Sequence, residues 1–247
     1  MERRIKLFET YKPNKTKKLI IDNIPESEEK VDLSNSKVTE IRFLPKGVKE
    51  LWISNTKISE LPDLPNGLLE LWCDNTSLIN LPKLPNSLIE LYCYSSEIFV
   101  LPELPKSLKI LWCYDNNLGS LPELPPDLEI LSCSDNNLDE LPELPKSLKK
   151  LYIKNNNITK LPDIPNSVNV LVCDKLFLDI PPNLLSKTSL SIYPTQENVD
   201  EYWNYWLNRN PDSIKDINKN SFFTENIKKK WNYLGGEYGF FDEEKNK

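Results

Sequence analysis

Residues 141–160 read Leu-Pro-Glu-Leu-Pro-Lys-Ser-Leu-Lys-Lys-Leu-Tyr-Ile-Lys-Asn-Asn-Asn-Ile-Thr-Lys, and Leu161-Pro162 begins the same pattern again. Earlier copies begin at Ile41, Leu61, Leu81, Leu101 and Leu121 without an insertion, so the chain is self-similar at a period of 20 residues from Ile21 to about Ile180. A period of this size marks a solenoid, in which each unit buries one face against the next. The segment Leu151-Tyr152-Ile153 alternates with period 2, the signature of a strand whose Leu151 and Ile153 point into the core while Lys150, Tyr152 and Lys154 point out. Leu-Pro-x-Leu-Pro opens the copies at Leu61, Leu81, Leu101, Leu121 and Leu141. Two prolines in five residues forbid a helix, so the returning limb is expected to be extended.

In the quoted copy Leu148, Leu151, Ile153, Asn156 and Ile158 fit the leucine-rich-repeat spacing L-x-x-L-x-L-x-x-N-x-L. The expected fold is a leucine-rich-repeat horseshoe with a parallel β-sheet on the concave face, extended convex segments and a C-terminal helical cap. About nine strands are expected, from Val31-Asp32-Leu33 to Leu190-Ser191-Ile192, the last with its spacing one residue short. The Asn position of the repeat runs Ser36, Thr56, Thr76, Ser96, Asn116, Asn136 and Asn156 before Leu176 breaks it. An amide there can pair backbone groups that the tight turn would otherwise bury unsatisfied, and a hydroxyl can do so in part. Three segments result: an N-terminal cap over 1–20, repeats over 21–193, and a helical C-terminal cap and tail over 194–247. In that last segment Thr195 is the expected N-cap of a helix, with Val199, Tyr202, Trp203, Trp206 and Leu207 on one face.

The Leu-Pro-x-Leu-Pro unit closely resembles the LPX-type leucine-rich repeats of bacterial effector proteins, some of which are fused to a ubiquitin-ligase domain. It is similar, more weakly and mostly in composition, to Asn- and Lys-rich repeat proteins of giant viruses that infect amoebae. The ligase kind of effector needs a catalytic cysteine in a large C-terminal domain, whereas the last cysteine here is Cys173, inside the repeats. The resemblance therefore implies a host-directed or viral interaction module without the ligase.

Composition narrows the chemistry. The 247 residues hold no histidine, which removes Ser-His-Asp and Cys-His nucleophilic sites and every histidine-ligated metal site. Lys+Arg 31 against Asp+Glu 37 gives a net charge of -6, which argues against coating nucleic acid or an anionic membrane. No apolar run approaches a membrane span and the first residues lack a signal-peptide core, so the expectation is a soluble, cytoplasmic protein of its own or a host cell. Cys73, Cys93, Cys113, Cys133 and Cys173 all occupy the inward position filled elsewhere by Ile53 and Ile153, and are expected to be reduced, buried and inert. Neither a catalytic residue, a metal site nor a cofactor is expected.

The outward position of the strands carries the functional signal. It reads Asp32, Trp52, Trp72, Tyr92, Trp112, Ser132, Tyr152 and Val172, with Tyr94 and Tyr114 at the next outward position. Aromatics suit strands and stack across a sheet, but a broad exposed aromatic patch also marks a binding surface. Glu50, Glu70 and Glu90 line one side of this track and Asp74 stands near the other. The expected partner is a protein presenting a basic amphipathic helix, held on Trp52, Trp72, Tyr92, Tyr94, Trp112, Tyr114 and Tyr152. The alternative is a glycan stacked on the rings.

Overall fold

The computed structural model describes residues 8–10, 18–21, 24–174 and 189–192. They fall in the first of two units into which the chain divides, Met1–Ile192 and Tyr193–Lys247. The helices expected in 194–247 lie outside the described residues. In chain order the strands are β1 (Phe8–Thr10), β2 (Lys18–Ile21), β3 (Lys30–Asp32), β4 (Glu40–Ile41), β5 (Glu50–Trp52), β6 (Glu70–Trp72), β7 (Glu90–Tyr92), β8 (Ile110–Trp112), β9 (Ile130–Ser132), β10 (Lys150–Tyr152), β11 (Val170–Cys173) and β12 (Ser189–Ile192). Nine of them form one sheet in the order β12-β11-β10-β9-β8-β7-β6-β5-β3. Every pairing in it is parallel, and equivalent residues of successive repeats face each other, as in Leu51↔Leu71 and Leu111↔Leu131. The final pair is Leu171↔Leu190, a step of 19 residues, which is the one-residue shortening visible in the sequence.

The repeat leucines explain the register. Leu51, Leu71, Leu91, Leu111, Leu131, Leu151 and Leu171 are fully buried, as are Leu68, Leu88, Leu108, Leu128 and Leu148 from the approach to each strand. A one-residue slip would turn this whole set outward, so burial fixes the pairing. The returning limb is extended, and no helix occurs among the described residues. Its second proline opens a tight turn in each copy, with Leu108 N donating to Pro105 O at 3.0 Å and Leu148 N to Pro145 O at 3.0 Å. Serines inside these turns tie one coil to the last: Ser107 Oγ donates to Leu88 O at 2.6 Å and Ser147 Oγ to Leu128 O at 2.7 Å.

A second, three-stranded sheet was not foreseen. β1 pairs antiparallel with β2, and β2 pairs parallel with β4 on the returning limb of the first repeats. Nothing in the charged composition of 1–20 signals these strands. The extended limb makes them possible, because an extended backbone leaves unpaired N–H and C=O groups that another strand can meet.

The turn after each strand is left-handed at one residue: Asn35, Asn55, Asn75, Ser95, Asp115, Asp135 and Asn155 have φ between 49° and 58°. Asn and Asp tolerate this conformation better than other residues with a Cβ, which accounts for their recurrence. Directly after it stands the Asn ladder. Asn116 Nδ2 donates to Cys93 O at 2.9 Å in the preceding coil and to Cys113 O at 3.2 Å in its own, while its Oδ1 accepts from Ile98 N at 3.0 Å. Where the ladder residue is Thr, the bond to the preceding coil's carbonyl is missing and the local one remains, as in Thr76 Oγ1 to Cys73 O at 2.9 Å, with Ser96 Oγ of the next coil at 3.2 Å.

All five cysteines are buried free thiols. Burial, with the Cys93 thiol and Asp74 opposing a negative charge, pushes the Cys73 thiol well up, and burial alone pushes Cys133 up to about 12. Reaction needs the thiolate and access to reagent, and both are denied here. A thiol reagent at pH 8 is expected to label Cys73, Cys93, Cys113, Cys133 and Cys173 slowly in the native protein and fully in denaturant, which mass spectrometry of the two samples checks.

Candidate functional site

The outward positions of β5 to β8 bring Trp52, Trp72, Tyr92 and Trp112 side by side through the register pairs Trp52↔Trp72, Trp72↔Tyr92 and Tyr92↔Trp112. Their rings form one column. Trp72 and Tyr92 stack with centroids 3.9 Å apart, Trp52 tilts onto Trp72 at 5.6 Å, and Tyr92 meets Trp112 edge-on at 5.5 Å. Tyr94 and Tyr114 form a second, parallel stack at 4.5 Å that leans on Trp112 at 6.2 Å. Ser132 interrupts the first row before Tyr152. Trp52, Trp72, Trp112, Tyr94, Tyr114 and Tyr152 are half-buried, whereas Tyr92 is covered by its neighbours.

The charged residues take distinct places. Glu50, Glu70 and Glu90 face one another across β5, β6 and β7. Glu50 is paired with Lys30 at 3.0 Å, and the same Lys30 ammonium lies 3.2 Å from the centre of the Trp52 ring, closing that end of the column with a cation. Glu90 accepts the Tyr92 hydroxyl at 2.9 Å. Asp74 lies beneath the surface, only 5% exposed, where Ser54 Oγ donates to it. Partial burial and the Asp74 carboxylate push the Tyr94 hydroxyl up to about 12, and Tyr114 is raised by burial and by Tyr94. Both remain neutral phenols at physiological pH.

Three indole N–H groups, those of Trp52, Trp72 and Trp112, are buried without a hydrogen-bond acceptor. The Trp72 N–H stands near enough to Glu70 to favour its charge, but without full hydrogen-bond geometry. An unsatisfied buried donor costs about 1–3 kcal/mol.

Glu70 sits in the middle of the acidic row. Partial burial, then Glu90 and Glu50, raise its pKa above 4.5. A carboxyl that binds its proton more tightly in the folded state penalises folding when ionised, and the penalty fades as pH falls and the group protonates. Glu70→Gln is therefore expected to melt above the wild type at pH 7, with the two curves converging as the pH drops below 4.5. Thermal unfolding of both proteins across that range measures it.

Sequence reasoning missed a second apolar feature. Phe43, Ile79, Phe99 and Val100 are exposed on the returning limbs, with Phe99 N on Ile79 O at 3.4 Å and Asn80 bridged to Val100. The signal was present: Ile79 and Phe99 fill a position occupied by Thr39, Ser59, Gly119, Asp139 and Thr159 in other copies. Among the described residues no group of three or more His, Cys, Asp or Glu side chains is placed to hold a metal ion, and no helix is long and apolar enough to cross a membrane.

The comparisons agree with this geometry. Residues 147–168 match the family model described as Leucine Rich Repeat. No curated protein matches the chain in sequence. Among solved structures it is similar to YopM, described as a leucine-rich effector protein from Yersinia pestis, at 31% identity and a TM-score of 0.62, covering 69% of this chain and 56% of that one. It is also similar to YopM from Yersinia enterocolitica WA-314, at 25% identity and a TM-score of 0.50, covering 70% of this chain and 48% of that one. The chain thus spans about half the length of these relatives. Taken with the 20-residue spacing and the nine-stranded parallel sheet, these matches make the chain a leucine-rich-repeat protein that resembles the repeat domains of bacterial effectors.

Proposed function

We propose that the chain is a non-catalytic protein-interaction module, a host-directed effector or viral protein, whose partner docks on the outward face of the sheet. The observation that carries this reading is the half-exposed aromatic column of Trp52, Trp72 and Trp112. Large exposed aromatic patches mark interaction surfaces, and Trp and Tyr dominate binding hot spots. Likeness to a leucine-rich effector adds to it. The partner is a protein with a basic amphipathic helix: four rings on adjacent strands span roughly 14 Å, the length of about ten helical residues. Tyr94, Tyr114 and Tyr152 widen the contact and Glu50, Glu70 and Glu90 supply its acidic margin, whereas Tyr92 and Asp74, expected as partner contacts, are buried and act by holding Trp72, Trp112 and Tyr94 in place.

Ring stacking counts against the glycan alternative. A sugar needs an open ring face, whereas Trp72 and Tyr92 turn theirs on each other and Trp52 turns one to Lys30. Trp72→Ala is expected to weaken partner binding by about 2 kcal/mol or more. Affinity capture from host lysate with wild type and with Trp72→Ser/Trp112→Ser, both shown to be folded, tests the face. Equal capture of the same partner by both proteins sinks the reading.

A further inference from the structure

The outward row that begins at Lys30 changes character along the sheet: Glu50, Glu70 and Glu90 are followed by Ile110, Ile130 and Lys150, all brought into line by parallel register. Glu50 is neutralised by Lys30 and Glu90 is engaged by Tyr92, while Glu70 has no ion-pair partner among the described residues. Ile110, Ile130 and Trp112 form a half-exposed apolar stretch beyond Glu90. Beyond them Lys150 is half-buried between Ile130 and Val170, also without an ion-pair partner among the described residues. The face therefore runs from an unmatched acid, over apolar side chains, to an unmatched base.

We propose that this gradient fixes the orientation of the docked helix, placing a Lys or Arg over Glu70, apolar residues over Ile110, Trp112 and Ile130, and an Asp or Glu over Lys150. The proposal rests on the reading of this face as a protein-binding surface. Lys30 shows the chemistry at close hand, since an ammonium is already held there between a carboxylate and an indole face. Glu70 and Lys150 stand four strands apart, roughly 19 Å, which about 13 helical residues span. The direction of the chain follows as well. A helix is most stable alone with acids in its first turn and bases in its last, where they oppose its macrodipole. Such a helix meets the gradient with its C-terminal turn over β6 and its N-terminal turn over β10. Charge matching of this kind governs specificity and encounter, while the apolar middle holds affinity.

The probe is a synthetic 18-residue amphipathic helix carrying Glu in its first turn, a Leu stripe, and Lys in its last turn, with a second peptide bearing Gln in place of both charged ends. Fluorescence anisotropy measures their binding to wild type, Glu70→Lys and Lys150→Glu, with circular dichroism confirming the fold. Each charge reversal is expected to weaken the charged peptide by about tenfold and the Gln peptide by less than about twofold. Changing the peptide's Lys to Glu is expected to restore binding to Glu70→Lys, whereas changing its Glu to Lys restores Lys150→Glu. Rescue in the crossed combinations instead, or equal losses for both peptides, overturns the orientation. If both peptides bind, Trp112→Ala abolishes binding and neither reversal matters, the gradient is wrong and the binding face stands. If neither peptide binds at millimolar concentration, or Trp72→Ala and Trp112→Ala leave binding unchanged, the orientation falls together with the docking face on which it rests.

Discussion

Asn136→Ala is expected to lower the unfolding free energy by about 1–3 kcal/mol, because one amide serves backbone groups of two coils and is the acceptor for the Leu118 N–H. Asn136 Nδ2 donates to Cys113 O at 3.0 Å, to Cys133 O at 3.2 Å and to Ser134 O at 3.0 Å, and its Oδ1 accepts from Leu118 N at 3.0 Å. Asn136 itself is 8% exposed, and its bonds with Leu118 N, Cys113 O and Cys133 O are buried. Deleting the amide leaves Leu118 N without its acceptor, at about 1–3 kcal/mol before the site relaxes, while Cys113 O keeps Asn116, Cys133 O keeps Asn156 and Ser134 O keeps Asp115 N. Asn136→Asp keeps the acceptor for Leu118 N but turns a negative oxygen toward three carbonyls, so it is expected to be no better than Ala. Urea unfolding monitored by circular dichroism measures both. A loss below 1 kcal/mol for Asn136→Ala would mean that the turn closes without its side chain. In the same position Ser96 has a long 3.4 Å bond to Tyr94 O and 3.2 Å contacts with Thr76, but no amide to reach a carbonyl of the preceding coil, so Ser96→Asn is expected to stabilise the protein.

Leu111→Ala is the second large effect, at about 3–4 kcal/mol. Leu111 is fully buried at the centre of the sheet, between Leu91 and Leu131. Its neighbours are fixed by register on both sides, so they collapse little into the space left by the missing atoms, and the cavity adds to the lost transfer energy. Ile110→Ala, one residue earlier and on the half-exposed outward row, is expected to cost under about 1 kcal/mol. The contrast between adjacent positions checks the inward and outward assignment: comparable losses, or the reverse order, would mean that the two faces are exchanged.

The repeat made most of the main sheet legible. Leu-x-Leu alternation identified the strands, the 20-residue period set their register, and the Asn position anticipated the bonds of Asn116, Asn136 and Asn156. The expected first strand began one residue late, at Val31 instead of Lys30, because a charged side chain pairs its backbone as readily as an apolar one. β1 and β2 were illegible for a related reason: strands outside the repeat are chosen by what backbone the limb leaves open, and no side-chain period records it. The candidate face was legible as a row of aromatics, but its internal arrangement was not. Stacking of Trp72 on Tyr92, the capping of Trp52 by Lys30 and the burial of Asp74 depend on rotamers that spacing does not determine.

The Asn ladder has a direction. Asn116 satisfies Cys93 O, Asn136 satisfies Cys113 O and Asn156 satisfies Cys133 O, so each coil is completed by the one that follows it, 23 residues later. On a ribosome the chain emerges in that order, so each coil gains the donor supplied by its successor only when roughly one more repeat has left the exit tunnel. Duplication or excision of a whole 20-residue unit preserves this dependency at every junction, whereas a change of any other length breaks it at once. The gene can therefore lengthen or shorten the sheet in whole units, carrying the outward face with it, without redesigning a single turn.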